Sequence, residues 1–337
     1  IKILKMRLAI VGAGPAGIYA ADLMLKAERD FEVSIDLFDL LPAPYGLVRY
    51  GVAPDHPRIK GIIRALYEVL DRGDIRFFGN VQYGTDITLE ELKQHYHAVI
   101  FATGAIKDAD LNVPGIDLEG SFGAADFVNW YDAHPDFPRT WDLSAKEIAV
   151  IGNGNVALDV ARILAKQPSD LLSTDIPDNV YQGLLQSNAT DIHVFGRRGP
   201  AQVKFSPLEL REACHVNDVD AIVYDEDFQY DEGSQEAIDS NNQIRVMVNT
   251  LEGLRGVEPK GASRRLHLHF FSAPKEIIGS DGKVTGIKIE RTKLDGKGGV
   301  VPTGEIREFP VQAVYRAVGY FGSELVDVPF DHKYGVI

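Results

Sequence analysis

The chain has 337 residues, of which 45% are apolar and 25% charged, so it is long enough for two ordinary domains with sizeable cores. Its formal net charge of −14 argues against a general binder of nucleic acid or anionic membranes, and no apolar run approaches the roughly 18 residues that a membrane span needs. Cys214 is the only cysteine, which excludes a disulfide, a C-x-x-C redox pair or a cysteine-ligated cluster within the chain and favours a reducing, cytoplasmic compartment.

The first predicted element is a strand, a glycine-rich turn and a helix. The apolar run Leu8–Val11 predicts a buried strand, and G-x-G-x-x-G spacing follows it. The motif and its first helical turn comprise Gly12, Gly14, Pro15, Ala16 and Gly17. Asp39 follows a second predicted strand, Val33–Phe38, about 20 residues beyond the motif, where an acid binds a ribose hydroxyl. The unit is therefore predicted to bind an adenine dinucleotide, and an unliganded strand–turn–helix is the alternative.

The next stretch predicts an irregular segment, a helix and a strand. Tyr45–His56 is rich in Gly and Pro yet too apolar for a solvated loop, so we expect it to line a ligand. Apolar residues at helical spacing predict a helix over Ile59–Leu70. Ala98–Gly104 predicts a buried strand that ends in Thr103 and Gly104, where the carboxyl end of a strand meets a cofactor.

A second strand, glycine turn and helix follows at Ile148–Ala157 and continues towards Pro168. The small residues of its G-x-G-x-x-A spacing are Gly152, Gly154 and Ala157. Two such units in one chain predict two separate nucleotide sites, which is more specific than either unit alone. An insertion, roughly Gln167–Thr190, lengthens the spacing to the next strand.

That next strand, Ile192–Phe195, ends in Gly196, Arg197 and Arg198 rather than in an acid. Two guanidinium groups there can bind a 2′-phosphate, so the second site is predicted to take NADP rather than NAD. A solvated basic turn is the alternative.

The segment after this turn offers a capping box and two acids. Ser206 and Glu209 have capping-box spacing, which starts a helix and places Glu209 and Glu212 on one face, one turn apart. Glu209 is either a site residue or only a cap. Asp225–Asn242 is acidic and amide-rich and is predicted to be an exposed excursion.

The last part of the chain is predicted to be rich in strands. Leu266–Phe270 alternates like a half-buried strand with His267 and His269 on one face, and because no third ligand is evident we predict no metal site. Turn and strand signals also occur at Asp281–Gly282, Val284–Glu290 and Val311–Val318. The fold class is thus α/β, with two Rossmann-like, doubly wound, three-layer domains that bind dinucleotides.

These motifs together resemble the adrenodoxin-reductase type of ferredoxin–NADP reductase over nearly the whole chain. The stretches that carry the resemblance are VGAGPAGIYAA, LPAPYGLVRYGVAPDHP, FATGA, GNGNVALDVARIL, VFGRRGP and FSPLELRE. It implies a glutathione-reductase-like two-domain flavoprotein, with FAD on the first glycine loop and Asp39 at its ribose. Gly46 and Leu47 would lie in the segment that flanks the flavin.

The resemblance also implies NADP on Gly154, Asn155 and Val156, with the two arginines at the 2′-phosphate. Glu209 and Glu212 would lie along the NADP channel. The residues implied near the reaction centre are His56, Asp159 and Glu212. Alternatives are a turn residue for His56 and a helix-surface acid for Asp159.

The resemblance implies a domain organisation as well. Residues 6–107 would form the first segment of the FAD domain and residues 108–320 the NADP domain. Residues 321–337 would begin a return to the FAD domain. Ile1–Lys5 are expected to precede a start at Met6. Members of this family continue into a Gly-Trp…Gly-Pro-x-Gly segment that nothing here matches, so we expect the sequence to be C-terminally incomplete.

The implied activity is the transfer of a hydride from NADPH to FAD and of single electrons onwards to a ferredoxin-type iron–sulfur protein. A flavin monooxygenase or oxidase, or a nucleotide-binding module without turnover, is the alternative. The lone cysteine rules out a disulfide reductase within the chain. Candidate basic residues for docking the partner are Lys204, Arg211, Arg264 and Arg265. The sequence does not define the oligomeric state; a monomer is favoured.

Overall fold

The computed structural model describes residues 4–337 and divides into two compact units. The first unit holds the residues up to Lys107 together with Tyr320–Ile337, and the second unit holds Asp108–Gly319. Of the stretch expected to precede the fold, residues 1–3 lie outside the described residues, whereas Leu4 and Lys5 belong to the first strand. In the described part of the chain, no helix combines the length and apolar character needed to cross a membrane.

The first unit is a parallel sheet of strand order β3-β2-β1-β4. Its elements are β1 (Leu4–Val11), α1 (Pro15–Lys26), β2 (Phe31–Phe38), α2 (Leu47–Tyr50), α3 (Pro57–Lys60), α4 (Ile62–Asp71), β3 (Ile75–Phe78), α5 (Leu89–His95), β4 (Ala98–Phe101) and β5 (Ala105–Asp108). Helices α1 and α4 pack on one face of the sheet, around Ile10, Ile18 and Leu66. On the other face Leu92 of α5 packs against Ala9. The predicted doubly wound α/β architecture is confirmed for this unit.

Two predicted elements differ from those observed in the first unit. Strand β1 begins four residues earlier than predicted, because β2 starts at Phe31 and offers Leu4 a partner in register. The helix predicted over Ile59–Leu70 is interrupted at Gly61, which ends α3 and precedes α4. Glycine is a poor residue for a helix interior, which is consistent with the break.

The second unit contains a six-stranded parallel sheet of order β6-β14-β7-β8-β10-β9 and a three-stranded antiparallel sheet, β11-β12-β13. Its elements are β6 (Ser121–Gly123), α6 (Ala124–Tyr131), β7 (Glu147–Ile151), α7 (Asn155–Ala165), α8 (Asp178–Leu185), β8 (Asp191–Phe195), α9 (Pro207–Cys214), β9 (Val219–Ile222), α10 (Glu232–Ser240), α11 (Asn242–Glu252), β10 (Arg264–His269), β11 (Ser272–Ser280), β12 (Lys283–Leu294), β13 (Val300–Phe309) and β14 (Ala313–Arg316). Strand β15 (Tyr320–Gly322) pairs with β5.

The two faces of the six-stranded sheet are covered differently. Helix α7 packs against β7 and β8 on one face, and its apolar residues from Ala157 onwards are buried. On the other face Ile151 and Phe195 pack with Ile277 and Ile287 of the antiparallel sheet. The predicted three layers are therefore present, and the third layer of this unit is a β-sheet.

Two segments of the second unit are more buried than the sequence predicted. Leu266–Phe270 was expected to be half-buried, but β10 lies between β8 and β9 with both faces covered, so Leu266 and Leu268 are almost wholly buried. The excursion predicted at Asp225–Asn242 instead forms helix α10 and buries Asp227, which accepts a hydrogen bond from the Phe270 amide at 3.0 Å. The predicted hairpin turn before β12 is confirmed, with positive φ at both of its residues.

Candidate cofactor-binding sites

The first glycine loop is shaped by close backbone contacts. Gly12 has φ +110°, and a Cβ on it would overlap the carbonyl oxygen of Ala102. A Cβ on Gly17 would overlap the Gly12 carbonyl oxygen. Helix α1 starts at Pro15, and no side chain within the described residues caps its N-terminus at Gly14. The first-turn amides are thus available to a pyrophosphate, so this loop fits a dinucleotide cofactor.

Asp39 stands at the end of β2 and binds the loop itself. One carboxylate oxygen accepts a hydrogen bond from the Ala13 amide at 2.7 Å, and the other accepts one from the Leu41 amide at 2.8 Å. Burial raises the pKa of Asp39, and these two amides oppose that rise. Each carboxylate oxygen has a second lone pair, so the group can hold the loop and still accept a ribose hydroxyl.

The segment predicted to line a ligand packs directly on this loop. The Tyr45 amide donates to the Ala13 carbonyl at 2.8 Å. Gly46 has φ +50°, and a Cβ there would lie 2.9 Å from the Gly14 Cα. Leu47 follows at the start of α2 with 39% of its surface exposed. The segment is irregular as predicted except for the single turn α2.

Three more predicted residues lie in the first unit. Thr103 and Gly104 follow β4, beside the Ala102 carbonyl that contacts the glycine loop, and Gly104 has φ +72°. His56 is buried, and its carbonyl accepts the Lys60 amide at 3.0 Å at the start of α3. Its burial distinguishes His56 from an ordinary exposed turn residue.

The second glycine loop repeats the geometry of the first. Gly152 has φ +147°, and a Cβ on it would overlap the Ala317 carbonyl oxygen. Gly154 precedes α7 with open space around it, and no side chain within residues 4–337 caps that helix. Asn155 and Val156 begin α7, and Ala157 is fully buried beneath the loop. This loop also fits a dinucleotide.

The two predicted phosphate-binding arginines lie in the turn after β8, Gly196–Arg198. Arg197 is exposed and Arg198 half-buried. Their guanidinium groups make no hydrogen bond or ion pair with any residue in the described range 4–337. The chain has a net charge of −14, yet none of its acids in the described range pairs with these two cations. The two guanidinium groups are therefore suited to bind an external anion.

A buried arginine that the sequence reasoning missed gathers the acids of α7 and α9. Arg162 is 1% exposed and donates to Asp159 at 2.9 Å and to Glu209 at 3.1 Å, and Glu212 lies 4.0 Å away. The Ser206 hydroxyl accepts the Glu209 amide, so Ser206 caps the helix as predicted. The predicted capping box is not completed, because the Ser206 amide donates to the Asn155 side chain rather than to Glu209. Asp159 and Glu209 are therefore part of a charge cluster rather than simple surface acids. The helical i, i+3 spacing of Asp159 and Arg162 was a signal that could have revealed the pair.

The sequence analysis also missed a third histidine. His193 on β8 lies beside His267 and His269 of β10 because the two strands pair in register. The Nδ1 atom of His193 is 2.9 Å from the Nε2 atom of His269, and His267 lies between Asp191 and Tyr224, 2.8 Å from each. The rings of His193 and His267 are stacked at 13° with centroids 4.3 Å apart, so their in-plane lone pairs do not converge on one ion. The ground for predicting no metal site is nonetheless wrong, because the structure supplies a third histidine and the three ligand atoms lie within 4.8 Å of one another.

Two of the basic residues proposed for docking are engaged within the second unit. Arg264 is 9% exposed and donates to the carbonyls of Leu164, Ala165 and Lys166 at the end of α7. Arg265 makes two hydrogen bonds with Asp191. The prediction that Arg264 is available to a partner is wrong, because its guanidinium caps a helix. Lys204 and Arg211 are exposed.

Comparison with known proteins identifies the relatives of this chain. The family model described as pyridine nucleotide-disulphide oxidoreductase matches residues 6–180. The NADPH-ferredoxin reductase FprA of Mycobacterium tuberculosis is 42% identical over 98% of this chain and 74% of that protein. The mitochondrial NADPH:adrenodoxin oxidoreductase of Homo sapiens is 38% identical, over 98% of this chain and 70% of its own length.

The fold agrees with a solved structure of such a relative. The structure of M. tuberculosis FprA in complex with NADPH superposes with a TM-score of 0.93 and 41% sequence identity. The match covers 99% of this chain and 75% of that one. The resemblance inferred from the sequence motifs is confirmed.

Proposed function

The chain belongs to the pyridine nucleotide-disulphide oxidoreductase family, and we propose that it is a flavoenzyme that passes electrons from NADPH, through FAD, to a ferredoxin-type iron–sulfur protein. The observation that carries this proposal is the pair of similar glycine loops whose following strands end in opposite charges. Asp39 ends one strand, and Arg197 with Arg198 ends the other. The single Cys214 leaves no dithiol within these 337 residues, so electrons received by the flavin pass to another molecule.

The chain's own groups divide the work between the two loops. The first-turn amides of α1 hold the FAD pyrophosphate, and Asp39 accepts a ribose hydroxyl. The first-turn amides of α7 hold the NADP pyrophosphate, and Arg197 and Arg198 bind the 2′-phosphate. When bound, FAD takes two electrons from NADPH and releases them singly. The protein's contribution is to bind and orient both nucleotides.

We assign His56, Asp159 and Glu212 to the reaction centre, and Glu209 to the NADP channel. The burial of His56 and the cluster that Asp159 and Glu209 form with Arg162 support this assignment. Glu212, with 38% of its side chain exposed, is the acid of the cluster best able to meet a ligand.

The nucleotide preference tests the proposal most directly. Arg197→Ala removes a charge-assisted contact worth about 1.5–3 kcal/mol, so the dissociation constant for NADPH should rise about 10- to 100-fold while that for NADH changes little. Titration of the purified chain with both nucleotides measures this. Lys107→Ala, at a cation remote from the second glycine loop in sequence, is the control. Equal losses for NADPH and NADH would contradict the assignment of the 2′-phosphate.

The partner and location follow from the same proposal. A ferredoxin-type protein is the expected acceptor, and reduction of cytochrome c that depends on added ferredoxin would reveal it. Lys204 and Arg211 remain the proposed docking residues. We propose a cytoplasmic location, which the absence of a cysteine pair in the chain favours, and a monomeric state. Light scattering of the purified chain gives its oligomeric state.

A further inference from the structure

Every carbonyl of the turn that carries the two arginines is held by one neighbouring part of the second unit. In this turn, Gly196–Arg198, the first carbonyl accepts the Ser272 amide at 2.9 Å and the third accepts the Phe271 amide at 3.0 Å. The middle carbonyl, that of Arg197, accepts the Thr292 hydroxyl at 2.6 Å. Two of these bonds come from backbone amides, and the bond to Arg197 alone depends on a side chain.

The arginine side chains depend on this backbone for their positions. No residue in the described range 4–337 holds either guanidinium by a hydrogen bond or ion pair. The direction in which the Arg197 side chain leaves the protein is therefore set by the peptide units on either side of its Cα. The carbonyl bound by Thr292 belongs to one of those peptide units.

Thr292 is itself fixed at two points. Its amide donates to the Phe271 carbonyl at 2.9 Å, so the same residue holds both the turn and the segment beside it. The preceding residue, Arg291, donates to the buried Asp227 at 2.7 Å and to the Phe270 carbonyl at 2.8 Å. Strand β12 thus presents the Thr292 hydroxyl from a rigid position.

We propose that Thr292 is a positioning residue that determines how strongly the second site prefers nucleotides with a 2′-phosphate. This inference rests on the proposed function, because it takes Arg197 as a ligand of that phosphate. Thr292 acts through the Arg197 backbone and does not contact the nucleotide. Without the Thr292 hydroxyl, the turn samples more conformations, and the Arg197 guanidinium must be ordered when a ligand binds. Only ligands that carry a 2′-phosphate contact this guanidinium, so only their affinity falls.

The test is Thr292→Val, which keeps the shape of the side chain and removes the hydroxyl. The freed Arg197 carbonyl lies where water reaches it, so the variant should fold with a nearly unchanged melting temperature. We expect the dissociation constants of NADPH and of 2′,5′-ADP to rise about three- to tenfold, the worth of one neutral hydrogen bond, with those of NADH and 5′-AMP unchanged. Thr292→Ser restores the hydroxyl and should restore the preference.

Thr285→Val is the matched control, because the Thr285 hydroxyl donates to the Ile278 carbonyl at 3.4 Å on the same antiparallel sheet without contacting Thr292 or the arginine turn. It should leave all four dissociation constants unchanged. Equal weakening of all four ligands in Thr292→Val, or no change in any of them, would overturn the inference. Arg197→Ala separates failure of the Thr292 inference from failure of the proposed function. If Arg197→Ala retains the NADPH preference, the assignment of the 2′-phosphate to the arginine turn is wrong, whatever the result for Thr292→Val.

Discussion

The two glycine loops share a backbone geometry and differ in what the next strand delivers to them. In each loop the first glycine has a positive φ and lies against a carbonyl of a neighbouring segment, that of Ala102 for Gly12 and that of Ala317 for Gly152. Asp39 then binds the first loop through its side chain. The arginine turn Gly196–Arg198 is held through its backbone instead, and its side chains stay unengaged among the described residues.

The difference shows how one framework serves two ligands. An acid can fasten its own loop and still offer lone pairs to a ribose, because a carboxylate has more acceptor sites than the loop uses. A guanidinium that is to bind a phosphate cannot be occupied by an acid of the protein without losing affinity. The second unit therefore fixes the backbone of the turn and leaves the cations available.

The largest expected effect comes from breaking one loop at a time. Gly152→Val places a side chain on a carbonyl and strains a backbone with φ +147°, so NADPH affinity should fall at least about 100-fold while bound flavin is retained. Gly12→Val should release the flavin and leave NADPH affinity nearly unchanged. Flavin absorbance of the purified protein and titration with NADPH measure the two outcomes.

Gly261→Ala separates strain from overlap, since Gly261 has φ +74° with no atom within 4 Å of an added Cβ. It should cost some stability and leave both cofactors bound. Loss of both cofactors from either valine variant would show that the two loops are not independent.

A smaller effect should follow from Asp39→Asn, which tests the side-chain fastening of the first loop. An amide cannot accept from both Ala13 and Leu41, because only one of its two terminal atoms is an acceptor. Flavin affinity should fall about 10- to 100-fold, with NADPH affinity unchanged. Flavin fluorescence released on dilution measures this.

The control for that variant is Asp86→Asn, at a carboxylate that accepts the Gln82 amide in an exposed turn of the same unit. It should not release flavin. An Asp39→Asn protein that keeps its flavin as tightly as the parent would remove Asp39 from the site.

The smallest effect concerns the titration of the second unit. Burial lowers the pKa of His193 to about 3, and it also lowers the pKa values of His267 and His269. The unfolded chain then binds more protons than the folded one below about pH 6.5, so acid lowers the free energy of unfolding. His193 alone should account for about 1 kcal/mol between roughly pH 6.5 and 5.5.

Tryptophan fluorescence gives a local readout, since Trp130 and Trp141 are the only tryptophans and both lie in the second unit. Urea unfolding at the two pH values yields the free energies. His193→Phe should flatten the dependence, and His215→Gln, at an exposed histidine, should not. If the free energy of unfolding of His193→Phe still falls with acid as steeply as that of the parent, groups other than His193 cause the pH dependence.

Both loops were accessible from the sequence because each is encoded by a short glycine motif between a strand and a helix. The contacts that require Gly12 and Gly152 were not accessible, because the carbonyls of Ala102 and Ala317 lie far along the chain. The burial of Asp227 was missed because the segment around it is mostly polar, and only tertiary contacts bury that one acid. The break at Gly61 was missed because the apolar spacing on either side of it is helical.

Apart from the Asp159–Arg162 pair within α7, the missed contacts join residues that are far apart in the sequence. Arg162 is 47 residues from Glu209, His193 is 76 from His269, and Thr292 is 95 from the carbonyl that it binds. These partners become visible only when the strand order and the register are known. No periodicity in the sequence contains that information.

The contact made by Arg264 has a consequence for the order of folding. Helix α7 exposes its amides to the nucleotide at one end, and at its other end the final carbonyls accept the Arg264 guanidinium, which lies 98 to 100 residues later in the chain. A cation at the C-terminus of a helix stabilises it by opposing the partial negative charge there. During synthesis, this helix remains without that stabilisation until β10 has been made and inserted between β8 and β9. We therefore expect the C-terminal turn of α7 to be stabilised late, after more than half of the second unit has been translated.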